Sequence, residues 1–267
     1  MKKRNLFDLQ GSVAIVTGGG GLLASEHATA LTDYGATVVL ADINVEKCAA
    51  AAAALKEAGV TGVHARALDV TSRESWGRLL AETLADHGAV DILVNNAGFT
   101  NQTPSANFSV AFEDFPIEDW NAVLGVNLSG TFLGCQVVGK HMLERCKGSI
   151  INLASLYAIV SPNHAMYPGT GISQPVAYTV SKHGVIGLTR YLGTLWAKKG
   201  VRVNSLTPGG IFNNHPTLFV ERFSQLNPIG RMSRKDELRG AIVYLASAAS
   251  SHVVGHNLIV DGGWTAW

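Results

Sequence analysis

Tyr178 and Lys182 stand four residues apart in "PVAYTVSKHGVIGLTR", a spacing that stacks two side chains on one face of a helix. Of the six tyrosines, only Tyr178 is followed by a lysine at that distance. A phenol can act as general base for an alcohol proton once its pKa falls from about 10 toward neutrality. A fall of about three pH units amounts to ~4 kcal/mol, which asks for Lys182 and a second cation close by in a dry site. Such a pair also arises by chance in a chain of this size, so a plain helix face stays open as the alternative.

A second stretch suggests where the other cation comes from. "VTGGGGLLASEHA" (16–28) sets four glycines between an apolar run and a helical pattern. Gly19-x-Gly21-x-x-Ala24 fits the dinucleotide pattern, in which one glycine turns the chain and the next lets backbone approach a diphosphate. The helix start adds free N–H groups and partial positive charge. A bare tight turn is the competing reading. The following strand ends at Asp42, 21 residues after Gly21, where an acid can accept from the adenosine ribose hydroxyls. A carboxylate there repels the extra phosphate of NADP, and no Lys or Arg lies within 18–24 or 41–44, so NAD is the expected cofactor. As a helix cap, the other use of such an acid, Asp42 competes with Asn44. With oxidised nicotinamide bound near Tyr178, hydride could leave for the ring while the phenol takes the proton.

The elements that must hold these residues alternate. Strands are expected over 13–18, 37–42, 62–70, 90–98, 148–155, 201–210 and 256–263. Helices are expected over 22–34, 44–59, 71–87, 117–146, 175–199 and 235–247. The alanine run in 44–59 reflects helix propensity. The strands are continuous apolar runs, as in a parallel sheet covered on both faces, and short connections imply right-handed crossovers in an open doubly wound α/β sheet. No linker or composition break divides residues 1–267, so one domain is expected. The three long connections, 99–116, 156–174 and 211–234, all follow the carboxyl ends of strands, where ligands bind in such sheets.

Composition narrows the function classes. The chain has 47% apolar residues and a formal charge of +1, which gives no general pull toward nucleic acid or an anionic membrane. "MKKRNLFDLQ" lacks a signal peptide's apolar core, and no uninterrupted apolar run approaches the roughly 20 residues of a membrane span. Cys48, Cys135 and Cys146 form no Cys-x-x-Cys pair and read as free thiols in a reducing cytoplasm. Nine histidines without ligand spacing give no support for a metal.

"TGGGG", "LDV" (68–70), "NNAG" (95–98), "VNLSGTF" (126–132), "INLAS" (151–155), "YTVSK" (178–182), "RVNSLTPG" (202–209) and "VDGG" (260–263) occur in this order along nearly the whole chain. As a set they resemble the short-chain dehydrogenase/reductase family. The resemblance implies a Rossmann fold with a seven-stranded doubly wound parallel sheet flanked by helices on both faces. It also implies a nicotinamide cofactor and a homotetramer built through two long helices. Carried over by position, Tyr178 is the general acid/base, and Lys182 binds the nicotinamide ribose and tunes the phenol. Ser155 orients the reacting oxygen, and Asn127 holds a water in a proton relay behind Lys182. Gly18, Gly21, Leu22 and Leu23 form the diphosphate turn, with Asp42 and Ile43 at the adenosine ribose. Asp69 and Val70 flank the adenine, Asn96, Ala97 and Gly98 line the trough, and Pro208, Gly209 and Ile211 meet the nicotinamide. "VDGG", and in part Asn95, read as structural support of strand ends.

Two departures stand out. The family's short-form glycine pattern would put glycines at 22 and 24, where this chain has Leu22 and Ala24. Its spacing resembles that of longer sugar-nucleotide members, whose extra C-terminal domain this length does not accommodate. Between Ser155 and Tyr178 lie 22 residues, against about a dozen in ordinary members. The excess, "IVSPNHAMYPGTGISQP", reads as a substrate-side insertion. "GGLLASEHA" resembles a branch acting on sugars and sugar acids.

The long connections are rich in amides, hydroxyls and aromatics, including Asn163, His164, Tyr167, Gln174, Asn213, Asn214 and His215, which suit a polyhydroxylated substrate. The first two hold no Lys or Arg, whereas Arg222, Arg231 and Lys235 in the third keep a phosphorylated or acyl-carrier substrate open. Trp264 and Trp267 are expected to pack on a neighbouring subunit. The expected function is NAD-dependent interconversion of a secondary alcohol and a ketone on a sugar, polyol or sugar acid. The alternatives are a 3-ketoacyl-type carbonyl reductase, which would prefer NADP, and a non-enzymatic NAD-binding regulator. An enoyl reductase is disfavoured because such relatives space Tyr and Lys more widely.

Overall fold

Most strand cores are runs of β-branched and aliphatic residues whose alternate side chains go to opposite faces, while the edge strand Val63–Ala67 and the strand Val201–Pro208 also carry polar residues. In the computed structural model, which describes residues 5–99, 110–174 and 176–267, the strands are β1 (Val13–Thr17), β2 (Thr37–Asp42), β3 (Val63–Ala67), β4 (Ile92–Asn95), β5 (Gly148–Leu153), β6 (Val201–Pro208) and β7 (Asn257–Val260). They form one parallel sheet in the order β3-β2-β1-β4-β5-β6-β7. Ala14 and Val16 face one layer, with α1 (Ala24–Asp33), α2 (Val45–Glu57) and α8 (Arg239–Ala246). Ile15 faces the other, formed by α3 (Arg73–His87), α5 (Gly130–Glu144) and α6 (Val176–Trp196). Chain order reverses between β1 and β4, which opens a crevice at their carboxyl ends, the usual ligand position in doubly wound sheets.

The boundaries differ from the sequence expectation in instructive ways. The stretch 117–146 is two helices, α4 (Ile117–Leu124) and α5, joined by a π-helical turn over Gly125–Ser129 that carries Asn127. By length and composition Ile117–Glu144 could span a membrane, at a mean hydropathy of 1.4. It instead lays Cys135, Val138 and Met142 against the sheet. The stretch 211–234, read as a connection, contains a further helix, α7 (Thr217–Leu226), which turns Phe219 and Phe223 inward. Trp264 does not wait for a neighbouring subunit. It stacks on Phe223 within the chain, ring centroids 4.3 Å apart, whereas Trp267 is exposed. Residues 100–109 of the first long connection lie outside the described residues.

Candidate active site

A cleft of about 880 Å³ runs along the carboxyl ends of the strands, in the upper part of the range of ~300–1,000 Å³ usual for ligand sites. Its floor is set by how the turn after β1 meets the turn after β4. Gly18 adopts φ +68°, and a Cβ there would lie 2.9 Å from the Ala97 Cα, so the crossing needs glycine on both counts. Thr17 pins the two turns together. Its Oγ1 accepts from the Asn96 and Ala97 amides at 3.0 and 2.9 Å, and its carbonyl accepts from Asn96 Nδ2 at 2.8 Å. The start of α1 has no side-chain cap at Leu23, which leaves first-turn amide groups without an intrahelical or capping partner.

Asp42, at the end of β2, fastens the glycine turn from the other side. Its Oδ2 accepts from Gly20 N and its Oδ1 from Asn44 N, both at 2.9 Å. The capping of α2 falls to Asn44, whose Oδ1 accepts from Lys47 N at 2.9 Å. Asp42 therefore lines the cleft with a carboxylate held in one orientation, beside Ile43. Asp69 and Val70, Asn96 to Gly98, and Pro208, Gly209 and Ile211 continue the lining. Asn95 points the other way, donating to Asn152 Oδ1 at 2.8 Å in a buried polar network, and Asp261 ties down its own turn through Gly263 N and Thr265. Both are supports of strand ends.

The reacting groups converge where β5 ends and α6 begins. Ser155 follows β5, and its hydroxyl, which accepts from Tyr157 N at 3.2 Å, lies near enough to the Tyr178 phenol to favour its ionised form. Lys182, one turn along α6, reaches beneath the ring, with Nζ 5.7 Å from the Tyr178 centroid and donating to Leu153 O at 2.6 Å. Asn127 lies behind this wall, fully buried. It accepts from Phe99 N at 2.7 Å and donates to Phe99 O at 3.3 Å and to Ser181 Oγ at 3.1 Å. It anchors the chain just beyond Gly98.

The electrostatics of the pair show why a second cation is required. Burial holds the Tyr178 phenol above its usual value, with the Ser155 hydroxyl working in the other direction. Burial also lowers Lys182 to about 8. The protein's own groups thus favour the neutral form of both partners, and Lys182 alone does not bring the phenol toward neutrality.

Beyond Tyr178 the cleft is lined by Tyr157, Tyr167, Gln174, Asn213, His215 and Phe219. Tyr167 comes from the 156–174 insertion, and its hydroxyl meets that of Tyr157 at 2.6 Å. Arg222 of α7 clasps the insertion, donating to Met166 O at 3.0 Å and Pro168 O at 2.6 Å.

A family model described as enoyl-(acyl carrier protein) reductase matches residues 22–265. A D-threitol dehydrogenase from Mycolicibacterium smegmatis is 37% identical over 97% of this chain and 95% of its own length. A 2-dehydro-3-deoxy-D-gluconate 5-dehydrogenase from Bacillus subtilis is also 37% identical, over 97% and 96%. The crystal structure of a gluconate 5-dehydrogenase from Burkholderia cenocepacia, in complex with NADP and tartrate, superposes with a TM-score of 0.86 at 33% identity over 98% of both chains. The chain belongs to the short-chain dehydrogenase/reductase family.

As a short-chain dehydrogenase/reductase the protein is an NAD(P)-dependent oxidoreductase, and its cleft suits the dinucleotide. Gly18, Gly20 and Gly21 line the cleft with bare backbone, the start of α1 carries no side-chain cap, and Asp42 lines it with a fixed carboxylate. Three features of this family member escaped the sequence reading. Lys47 lines the adenosine end, its Cβ close over Gly20, although it lies outside the segments searched for cations. Phe99 lines the cleft beside Gly98. Phe219 and Phe223 wall the substrate end, and their spacing of four was the available signal for α7.

Proposed function

We propose that the protein interconverts a secondary alcohol and a ketone on a sugar, polyol or sugar acid, with NAD as its preferred cofactor. One observation carries this reading: the Ser155 hydroxyl, the Tyr178 phenol and the Lys182 ammonium converge on one wall of a cleft whose far end suits a dinucleotide. When bound, oxidised nicotinamide supplies the hydride acceptor and a positive charge. In the oxidative direction Tyr178 Oη accepts the proton of the substrate hydroxyl while the carbinol carbon gives up hydride. Ser155 Oγ hydrogen-bonds the reacting oxygen and fixes its distance from Tyr178. Lys182 holds positive charge beside the phenol and hydrogen-bonds the nicotinamide ribose. Asn127 positions the Gly98–Phe99 backbone, and with it the cleft floor in front of Lys182, behind which it would hold a relay water. Ketone reduction runs the same steps in reverse, with Tyr178 donating.

The preference for NAD is supported by the fixed Asp42 carboxylate, with Lys47 as the partial counterweight. The buried thiols Cys48 and Cys135, raised by burial to about 11 and about 12, fit a reducing cytoplasm. A homotetramer joined through α5 and α6 is supported by the exposed Phe132, Val180, Tyr191 and Leu195 on those helices. The test is a panel of sugars, polyols and sugar acids with NAD and NADP, followed by NADH or NADPH absorbance. Turnover with NAD is expected. Tyr178→Phe should lose on the order of 10²–10⁴ in kcat with its Kd for NAD unchanged. Reaction of acyl thioesters with NADPH alone would overturn the reading.

A further inference from the structure

We infer that the substrate is an uncharged polyhydroxylated alcohol or ketone, not a sugar acid or sugar phosphate. The inference rests on the dehydrogenase reading and narrows its substrate class. A carboxylate docking against the cleft's buried aromatic wall loses part of its hydration, a cost unless a cation or several strong donors replace the water. Among the described residues, the groups lining the cleft that could carry positive charge are Lys47, Lys182 and His215. Arg222 lies outside that lining, where its Nη1 donates to the Met166 and Pro168 carbonyls. Arg231 forms a two-pronged pair with Glu237 and also donates to Met232 O. Lys182 donates to Leu153 O beneath the Tyr178 ring, and Lys47 sits at the opposite, adenosine end. Lys235 does not line the cleft.

His215 is the remaining candidate, and its geometry argues for the neutral ring. Its Nδ1 accepts from Asn213 N at 3.1 Å, which requires that nitrogen to carry no proton. Burial also lowers its pKa. Residues 100–109, outside the described residues, read "TNQTPSANFS" and add no Lys, Arg or His.

What the pocket offers instead suits hydroxyls. The paired Tyr157 and Tyr167 hydroxyls, each both donor and acceptor, are held neutral by burial, which lifts Tyr167 to about 12 and Tyr157 further still. Gln174 adds an amide with both functions. Tyr167 and His215 pack on Phe219 at centroid distances of 5.8 and 5.3 Å, a continuous ring wall for the C–H face of a polyol.

The test compares kcat/KM for tetritols, pentitols and hexitols with that for aldonates of equal chain length, using the wild-type enzyme and NAD. Polyols are expected to win by on the order of 10²-fold, because an unpaired buried charge is rejected more strongly than a missing methylene. Gln174→Arg, which supplies a cation at the pocket wall, should narrow that ratio at least tenfold. Aldonates turned over as well as polyols, or better, would overturn the inference. If no compound turns over, the dehydrogenase reading itself falls, and calorimetry of the NAD-loaded protein then decides the present point. Polyol binding without aldonate binding supports it; aldonate binding, or binding of neither, overturns it.

Discussion

Replacing His27 by leucine should make the folded state more resistant to acid while leaving it nearly unchanged at alkaline pH. His27 is fully buried in α1, one turn past the glycine loop, among Ala24, Ala28 and Leu31. Neither ring nitrogen finds a hydrogen-bond partner of ordinary geometry; the nearby Asn96 side chain offsets only part of the burial penalty, which lowers the imidazole from 6.5 to about 4. Between those values the unfolded chain binds a proton that the folded chain does not, so stability falls as pH falls through that window. The whole effect is ~3.4 kcal/mol, of which ~2.7 kcal/mol has been lost by about pH 4.5. At about pH 8 leucine should be worth within ~1 kcal/mol of histidine, since it removes two unpaired buried nitrogens but fits the site imperfectly. Urea unfolding of both proteins at the two pH values isolates this group, because every other titration cancels in the difference. A gap between variant and wild type that is the same at both pH values would refute the reasoning.

Asp42→Asn should raise the kcat/KM ratio of NADP to NAD at least tenfold. Two unit charges ~4 Å apart repel by ~4 kcal/mol at an effective dielectric of 20, and part of that is lost to solvent at this half-exposed carboxylate. Adding Lys47→Ala should take back some of the gain; no change in the ratio would remove Asp42 from cofactor selection. Arg222→Met frees the Met166 and Pro168 carbonyls and should cost ~1–3 kcal/mol of stability by calorimetry, with KM rising more than kcat falls. Equal loss in kcat would mean that the insertion does more than shape the substrate end. Lys182→Met should abolish turnover and also flatten the stability profile at high pH. The folded lysine titrates near 8 against 10.5 unfolded, so its burial penalty is full below about 8 and fades as pH rises to 10.5. Wild-type stability should therefore gain up to ~3.4 kcal/mol relative to the variant across that window, read by urea unfolding.

The sheet was readable because most of its strands are continuous apolar runs and its helices begin and end on recognisable signals, such as Asn44 and Gly88. The cofactor wall was readable for the same reason: backbone turns that approach one another closely restrict residue type, as Gly18 against Ala97 does. The substrate end was readable in part: Tyr167, Gln174, Asn213 and His215 line the cleft, whereas Asn163, His164 and Asn214 do not, and Tyr157 and Phe219 were not anticipated. Tyr157, Tyr167, His215 and Phe219 come from separated segments, and only the fold brings them together. Lys47 lay five residues past Asp42, on a helix whose orientation the sequence does not specify. Helix α7 was missed because it lies inside a stretch read as one long connection, although Leu218, Phe219, Val220, Phe223 and Leu226 recur at helical spacing.

A limit of a different kind concerns Tyr178 and Lys182. Spacing put them on one helix face, and a lowered phenol was expected only from Lys182 together with a second cation. Burial sets how much that second cation must supply, because the same dry wall that strengthens the attraction penalises each charge separately. With the phenol raised and the amine lowered to about 8, burial disfavours the charged form of each partner. The fold therefore supplies a proton store that favours neutrality, and the positive charge that makes the phenol a base must arrive with the cofactor. Activity should then depend on cofactor occupancy in its pH profile. The acidic limb of kcat, which reports the loaded enzyme, should lie below that of a phenol titrated directly in the cofactor-free protein by ultraviolet difference absorbance. Coincidence of the two would return the task to Lys182 alone.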